Sequence, residues 1–109
     1  MDRNEIIKCY CIKDSVFTKY IKARIIDDKN DYTNEDIREI SLALSFEEIG
    51  FELKNIAFYL SLYKNKSQNK QQLLSILTQQ RETLLNNIHI QEKKICTIDY
   101  YIYNLKRKN

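Results

Sequence analysis

At 109 residues with 43% hydrophobic side chains, the chain is long enough for one domain, or for a small head with an arm. One Gly, no Pro and 30% charged residues exclude a strand-rich small domain, which would need turn residues, and argue for an almost wholly helical protein. The net charge of +3 divides unevenly: residues 1–31 carry seven Lys/Arg against six Asp/Glu, residues 32–60 two against six, and residues 61–109 nine against three. A basic–acidic–basic order is compatible with a nucleic-acid footprint at both ends, although a solvated surface would produce the same pattern.

No apolar run approaches the roughly 20 residues of a membrane span, and Met1-Asp2-Arg3-Asn4-Glu5 has no signal-peptide character. The expected compartment is the cytoplasm, with no membrane partner. The cysteine count of three is odd, and Cys9 and Cys11 are too close to staple a fold, so they read as reduced thiols.

Along the chain, Asn4 can cap a short helix carrying Ile6, Ile7 and Tyr10. Asp14 or Ser15 can cap the next, whose apolar positions Phe17, Tyr20, Ala23 or Arg24, and Ile25 follow helical spacing. Asp27-Asp28-Lys29-Asn30-Asp31 is a turn. Thr33 caps a third helix, with Asp36 in the capping-box position, and an apolar stripe of Ile37, Ile40, Leu42, Leu44, Phe46 and Ile49 follows. Gly50 suits the left-handed conformation that ends it. Leu53, Ile56, Ala57, Leu60 and Tyr63 make a fourth helix amphipathic.

Residues 64–70 are linker-like. Beyond them, alternating three- and four-residue steps land on Leu74, Leu77, Arg81, Leu84, Ile88, Gln91, Ile95, Ile98, Ile102 and Leu105, eight of them aliphatic. That is a heptad seam, and a helix of roughly 50–55 Å at 1.5 Å per residue needs a second copy to bury it. His89 flanks the seam, where an interface polar contact is the default. Cys96 stands alone in the coil, and Cys9 and Cys11 at i, i+2 share no helix face, so neither a metal nor a cofactor is expected. No nucleophile–base pair, phosphate loop or carboxylate dyad points to an enzyme.

Two blocks of the head resemble the mercury-resistance-regulator (MerR) family of transcription factors. In the first, Glu5-Ile6-Ile7-Lys8 sits where the family has Glu-Leu-Ala-Lys, Phe17 and Tyr20 match the Leu and second Tyr of Thr-Leu-Arg-Tyr-Tyr, and Ile25-Ile26 the close of Gly-Leu-Leu. In the second, Tyr32 matches the wing Tyr, Asp36-Ile37 the Asp-Leu, and Ile40, Leu42 and Ala43 the Leu-Arg-Phe-Ile run. Gly50-Phe51-x-Leu53-x-x-Ile56 matches Gly-Phe-Ser-Leu-Glu-Glu-Ile. The sequence departs from the pattern at Thr18 and Lys19, where Arg and Tyr are usual, at Lys13 in place of a Ser cap, at Arg24 in place of Gly, and in a shortened wing.

The resemblance implies an all-α protein: a winged helix-turn-helix head over residues 1–63, a linker at 64–70 and an antiparallel coiled-coil dimerisation helix over 71–109. It implies a homodimer on double-stranded DNA at a pseudo-palindromic promoter, with RNA polymerase as a further partner. The second helix would enter the major groove, with Lys13, Ser15, Thr18, Lys19 and Lys22 facing bases and phosphates. Tyr20 and Tyr32 would either bond phosphates or pack across the head–wing junction, and Lys29 is the one cation in the shortened wing. The seam aliphatics Leu74, Leu77, Leu84, Ile88, Ile95, Ile98, Ile102 and Leu105 would join the copies. The alternative is a head that has lost strong DNA affinity and works as a protein-interaction or heterodimerising module.

Overall fold

The computed structural model describes residues 1–107; Lys108, of the basic run Lys106-Arg107-Lys108, and the last residue of the coil expected over 71–109 lie outside the described residues. The elements are α1 (Arg3–Cys9), α2 (Asp14–Lys22), α3 (Asn34–Glu48), α4 (Leu53–Tyr63) and α5 (Lys70–Arg107). Among the described residues there is no strand, so the segment between α2 and α3, where a wing is expected, is irregular backbone. No described helix is long and apolar enough to cross a membrane. The chain divides into two compact units, Met1–Leu73 and the residues from Leu74 onward.

Two expected caps move. Asp2, not Asn4, caps α1: its carboxylate accepts from Glu5 N at 2.9 Å, and Glu5 Oε1 accepts from Asp2 N at 3.4 Å. This reciprocal Asp-x-x-Glu box satisfies two orphan donors, which Asn4 could not do from inside the first turn. The N-cap of α2 is Lys13, without a side-chain cap, and Asp14 is already helical. Buried Ile12 pins the preceding turn to the core, which leaves no residue of slack before the helix starts. For α3 the sequence expectation is met: Thr33 accepts from Asp36 N at 3.2 Å and Asp36 accepts from Thr33 N at 2.9 Å.

Three helices stop in the same way. Cys11, Arg24 and Gly50 each adopt positive φ, at 53°, 62° and 92°, just past the ends of α1, α2 and α3. The next amide reaches back to the helix in each case: Ile12 N to Ile7 O at 3.2 Å, Ile25 N to Tyr20 O at 2.9 Å, and Phe51 N to Phe46 O at 3.0 Å. Each donating residue is itself buried. This is the Schellman arrangement, in which a left-handed residue lets the next amide satisfy a terminal carbonyl while its side chain folds onto the core. Phe51 stacks on Phe46 with centroids 4.8 Å apart.

The core of this unit is centred on Ile6, Phe17, Tyr20, Ile40 and Ile56, all essentially fully buried. Ala43 and Tyr59, absent from the apolar stripes read in the sequence for α3 and α4, are also buried, and Tyr59 meets Phe46 edge-on at 4.7 Å. Ile49, expected on the stripe of α3, is instead 42% exposed at the C-cap, where the helix stop at Gly50 turns the chain. Tyr32 clasps the irregular segment. Its ring meets Phe17 edge-on at 5.3 Å, its amide donates to Met1 O at 2.7 Å, and its hydroxyl donates to Asp27 O at 2.8 Å and accepts from Lys29 N at 3.0 Å.

Residues 64–69 form a turn, where the Asn69 side-chain Nδ2 donates to Leu62 O at 3.0 Å. Helix α5 then runs for 38 residues, about 57 Å at 1.5 Å per residue. Its Leu73 is buried in the first unit, so the division falls three residues later than the sequence boundary at 70/71. No described residue from Leu74 onward is buried.

An L-residue in the left-handed region costs about 1–2 kcal/mol, and glycine removes that cost while loosening the unfolded chain by about 0.5–1 kcal/mol. Arg24→Gly is therefore expected to raise stability by about 0.5–1 kcal/mol. A higher urea midpoint at unchanged slope would show it; a lower midpoint would mean that the Arg24 side chain contributes more than its backbone costs.

Candidate nucleic-acid interface

Helix α2 carries most of the candidate positions. Lys13, Ser15 and Lys22 are exposed, and no described contact engages their side chains. The remaining candidates are committed elsewhere. The Thr18 hydroxyl accepts from Arg3 Nη2 at 2.5 Å, and Arg3 also donates to the Asp14 carboxylate at 3.1 Å and to Asp14 O at 3.2 Å. The Arg3 guanidinium sits over the Phe17 ring, 4.8 Å from its centroid, so this one side chain ties α1 to α2. Lys19 pairs with Glu47 of α3 at 2.9 Å. Lys29 pairs with Asp36 at 3.0 Å, a consequence of the short loop bringing it back over the start of α3.

Both tyrosines take the packing alternative. Tyr20 is fully buried and Tyr32 is 3% exposed, so neither ring can lie against a phosphate. The Tyr20 hydroxyl is buried without a hydrogen bond of regular geometry, beside the Glu47 carboxylate. Burial first, and that carboxylate second, hold its pKa far above the ordinary tyrosine range. Glu47 is itself pushed up by burial, but the Tyr20 hydroxyl and Lys19 ammonium outweigh this and leave it below the ordinary carboxylate value.

An open cleft of about 660 Å³ runs along α2, lined by Ser15, Thr18, Lys19, Lys22, Ala23 and Leu53. Sequence reading places four of these on one polar stretch of helix. It misses Ala23 and Leu53 as surface-lining groups, since both carry the apolar spacing of core positions. Only the long-range placement of the start of α4 beside α2 reveals Leu53, and no local signal encodes it.

In the second unit, Leu74, Leu84, Ile88, Ile95, Ile98, Ile102 and Leu105 are exposed, by 41–74%, and Leu77 is half-exposed. The aliphatic seam lies open on a single chain. Tyr100, Tyr101 and Tyr103 are also exposed, and His89 faces Glu92 at 3.8 Å. Cys9, Cys11 and Cys96 are exposed free thiols, and among the described residues no group of three or more His, Cys, Asp or Glu is placed to hold a metal.

The ion pairs fix an acid response. Burial pushes the Asp36 carboxyl up, but the Thr33 amide and Lys29 ammonium more than offset it, and its pKa falls below the ordinary value. Asp36 and Glu47 thus bind protons less readily in the folded state, so their stabilisation is complete above the ordinary carboxylate range and is lost as pH falls through their lowered pKa values. Glu39 acts in the opposite sense: burial, helped by Asp36 and Glu35 against the nearby Lys64, raises its pKa, so it favours folding as pH falls. Asp36→Asn is expected to lower stability at pH 7 and to flatten the loss below about pH 4. Urea titrations at several pH values read both effects, and an unchanged acid limb would contradict the assignment.

No protein-family model matches this chain, and neither does any characterised protein or solved structure.

Proposed function

We propose that the protein is a homodimeric DNA-binding transcription regulator, with α1–turn–α2 as a helix-turn-helix head and α5 as an antiparallel coiled-coil arm. The observation that carries this reading is the pair of short helices joined by the four residues 10–13, with the left-handed Cys11 where such turns need a permissive backbone. Lys13 at the N-cap of the second helix and Ser15 and Lys22 within it are exposed and unpaired. Ammonium groups at both ends of α2 suit phosphates on either side of a major groove, with the hydroxyl between them at the base edges. The resemblance to the mercury-resistance-regulator family supports the same reading and adds RNA polymerase as a partner at the promoter.

The arm follows from the open seam. Burying one aliphatic side chain contributes on the order of 1.5–3 kcal/mol, and soluble proteins avoid leaving a continuous stripe of them in water. With the copies antiparallel, Leu74 lies against the partner's Leu105, Leu77 against its Ile102, and Leu84 against its Ile95. Arg81 then meets an Ile98 and Gln91 an Ile88, whereas parallel pairing would set Arg81 against Arg81. Antiparallel pairing also places the heads at opposite ends, as two half-sites require.

A second reading has its own support. Arg3, Lys19 and Lys29 are spent on internal acids, which leaves few free cations for phosphates. On that reading the head has lost strong DNA affinity and docks to another protein or to a longer relative.

Fluorescence anisotropy on a random-sequence duplex pool at low salt is expected to show binding that weakens steeply as salt rises. Lys13→Ala with Lys22→Ala removes two cations from each of two subunits, and should weaken binding across all sequences and reduce the logarithmic salt slope by about 4. Absence of binding at low salt would favour the interaction reading.

Sedimentation is expected to give about twice the chain mass of 13.1 kDa at micromolar concentration. Leu84→Asp with Ile95→Asp should yield monomers that also lose DNA affinity, while a monomeric wild type would defeat the arm assignment.

A further inference from the structure

Resting on the DNA-binding reading, we propose that the cleft along α2 recognises the 5-methyl group of thymine, so that the preferred half-site is a thymine-bearing A·T element rather than a guanine-bearing one. The cleft is a built surface with a definite chemistry. Its lining is mostly apolar; Ala23 and Leu53 have side chains of carbon alone, and Thr18, Lys19 and Lys22 carry a methyl and two aliphatic stems. Its charge fits a nucleic acid: Lys22 is exposed at the cleft, Lys13 stands exposed at the start of the same helix, and the acids Asp14 and Glu47 are held by Arg3 and Lys19.

Guanine is most often read by a guanidinium that donates two hydrogen bonds to O6 and N7. No arginine lines this cleft. The Arg3 guanidinium is engaged by Asp14 and Thr18 and lies over Phe17, and the exposed Arg24, which follows Ala23, does not line the cleft. Lys19 is held by Glu47, and Lys22, at the end of the helix, is a flexible point charge better suited to phosphate than to a bidentate contact. What the surface does present to a base edge is apolar, and in the major groove the apolar feature that distinguishes one base from the others is the thymine methyl. The Ser15 hydroxyl, able to donate or accept, supplies no discrimination on its own.

The test uses the full chain and a duplex recovered by selection from a random-sequence pool, remade with uracil replacing thymine at single positions. Only the 5-methyl group is removed. Loss of one methyl contact should weaken binding about fourfold at one or a few positions in each half-site, the equivalent of one buried methylene. Thr18→Ser keeps the hydroxyl that Arg3 holds and removes only a methyl, and Leu53→Ala shortens the apolar wall. Each should shrink the thymine-to-uracil ratio towards one while binding to the uracil duplex persists.

Equal affinity for the two duplexes would overturn the inference and leave DNA binding standing. A uracil penalty that persists unchanged in both variants would also overturn it, since the methyl would then act through groove shape. If Leu53→Ala loses its helical signal, Thr18→Ser decides alone. Failure to recover any duplex from the pool would remove the inference together with the DNA-binding reading.

Discussion

A seven-residue helix has almost no stability of its own, because the first turn fixes several residues for a single hydrogen bond. Three of the four short helices here end within two or three residues of a buried side chain, and the device that allows it is the left-handed stop. Cys11, Arg24 and Gly50 reverse the chain so that Ile12, Ile25 and Phe51 fall straight onto the core. The terminal carbonyls are satisfied by the same movement. The α1–α2 and α3–α4 connections therefore stay at four residues each without a single proline.

Electrostatics then divides the cations of the head into two sets. Arg3, Lys19 and Lys29 hold helices and loop together by pairing with Asp14, Glu47 and Asp36. Lys13 and Lys22, with Lys8 and Arg24, remain available to solvent or to a ligand. Exposed pairs of this kind contribute little to stability individually. Their effect on charge is larger, since each cancels a positive field that would otherwise extend from the α2 face. The internal pairing thus leaves the α2 face with little free positive charge beside a mostly apolar cleft.

How much of this was legible in the sequence depends on range. Thr33 and Asp36 announce a capping box within four residues, Gly50 announces a stop, and the seam from Leu74 to Leu105 shows its period directly. The box of Asp2 and Glu5 is equally local, but the neighbouring Asn4 is an attractive cap by residue type and draws the reading away. Neither Cys11 nor Arg24 is a residue type that signals a left-handed backbone, and at Arg24 the one hint is the Gly of the resembled pattern; the packing of the following residue imposes the conformation. The pairing of Lys19 with Glu47, 28 residues apart, and the position of Leu53 beside α2 are tertiary facts that periodicity cannot encode. Tyr20 and Tyr32 have the right chemistry for phosphates and the right bulk for a core, and burial chose the latter. The expected wing has no strands because the chain between Ile26 and Tyr32 is too short and too acidic for a paired ribbon.

The first turn of α5 has a kinetic and thermodynamic consequence for the rest of that helix. An isolated helix must pay for nucleation, an equilibrium factor of roughly 10⁻³, or about 4 kcal/mol. Here Asn69 and Leu73 are already held, by the carbonyl of Leu62 and by the core respectively, when the first unit is folded. The nucleus is thus supplied in advance, and each further residue only has to propagate, at a rate near nanoseconds per residue. On an unpaired chain the long helix can fray from its far end and regrow without the first unit opening, so its amides should form a gradient of exchange rates, which pairing with a second copy would level.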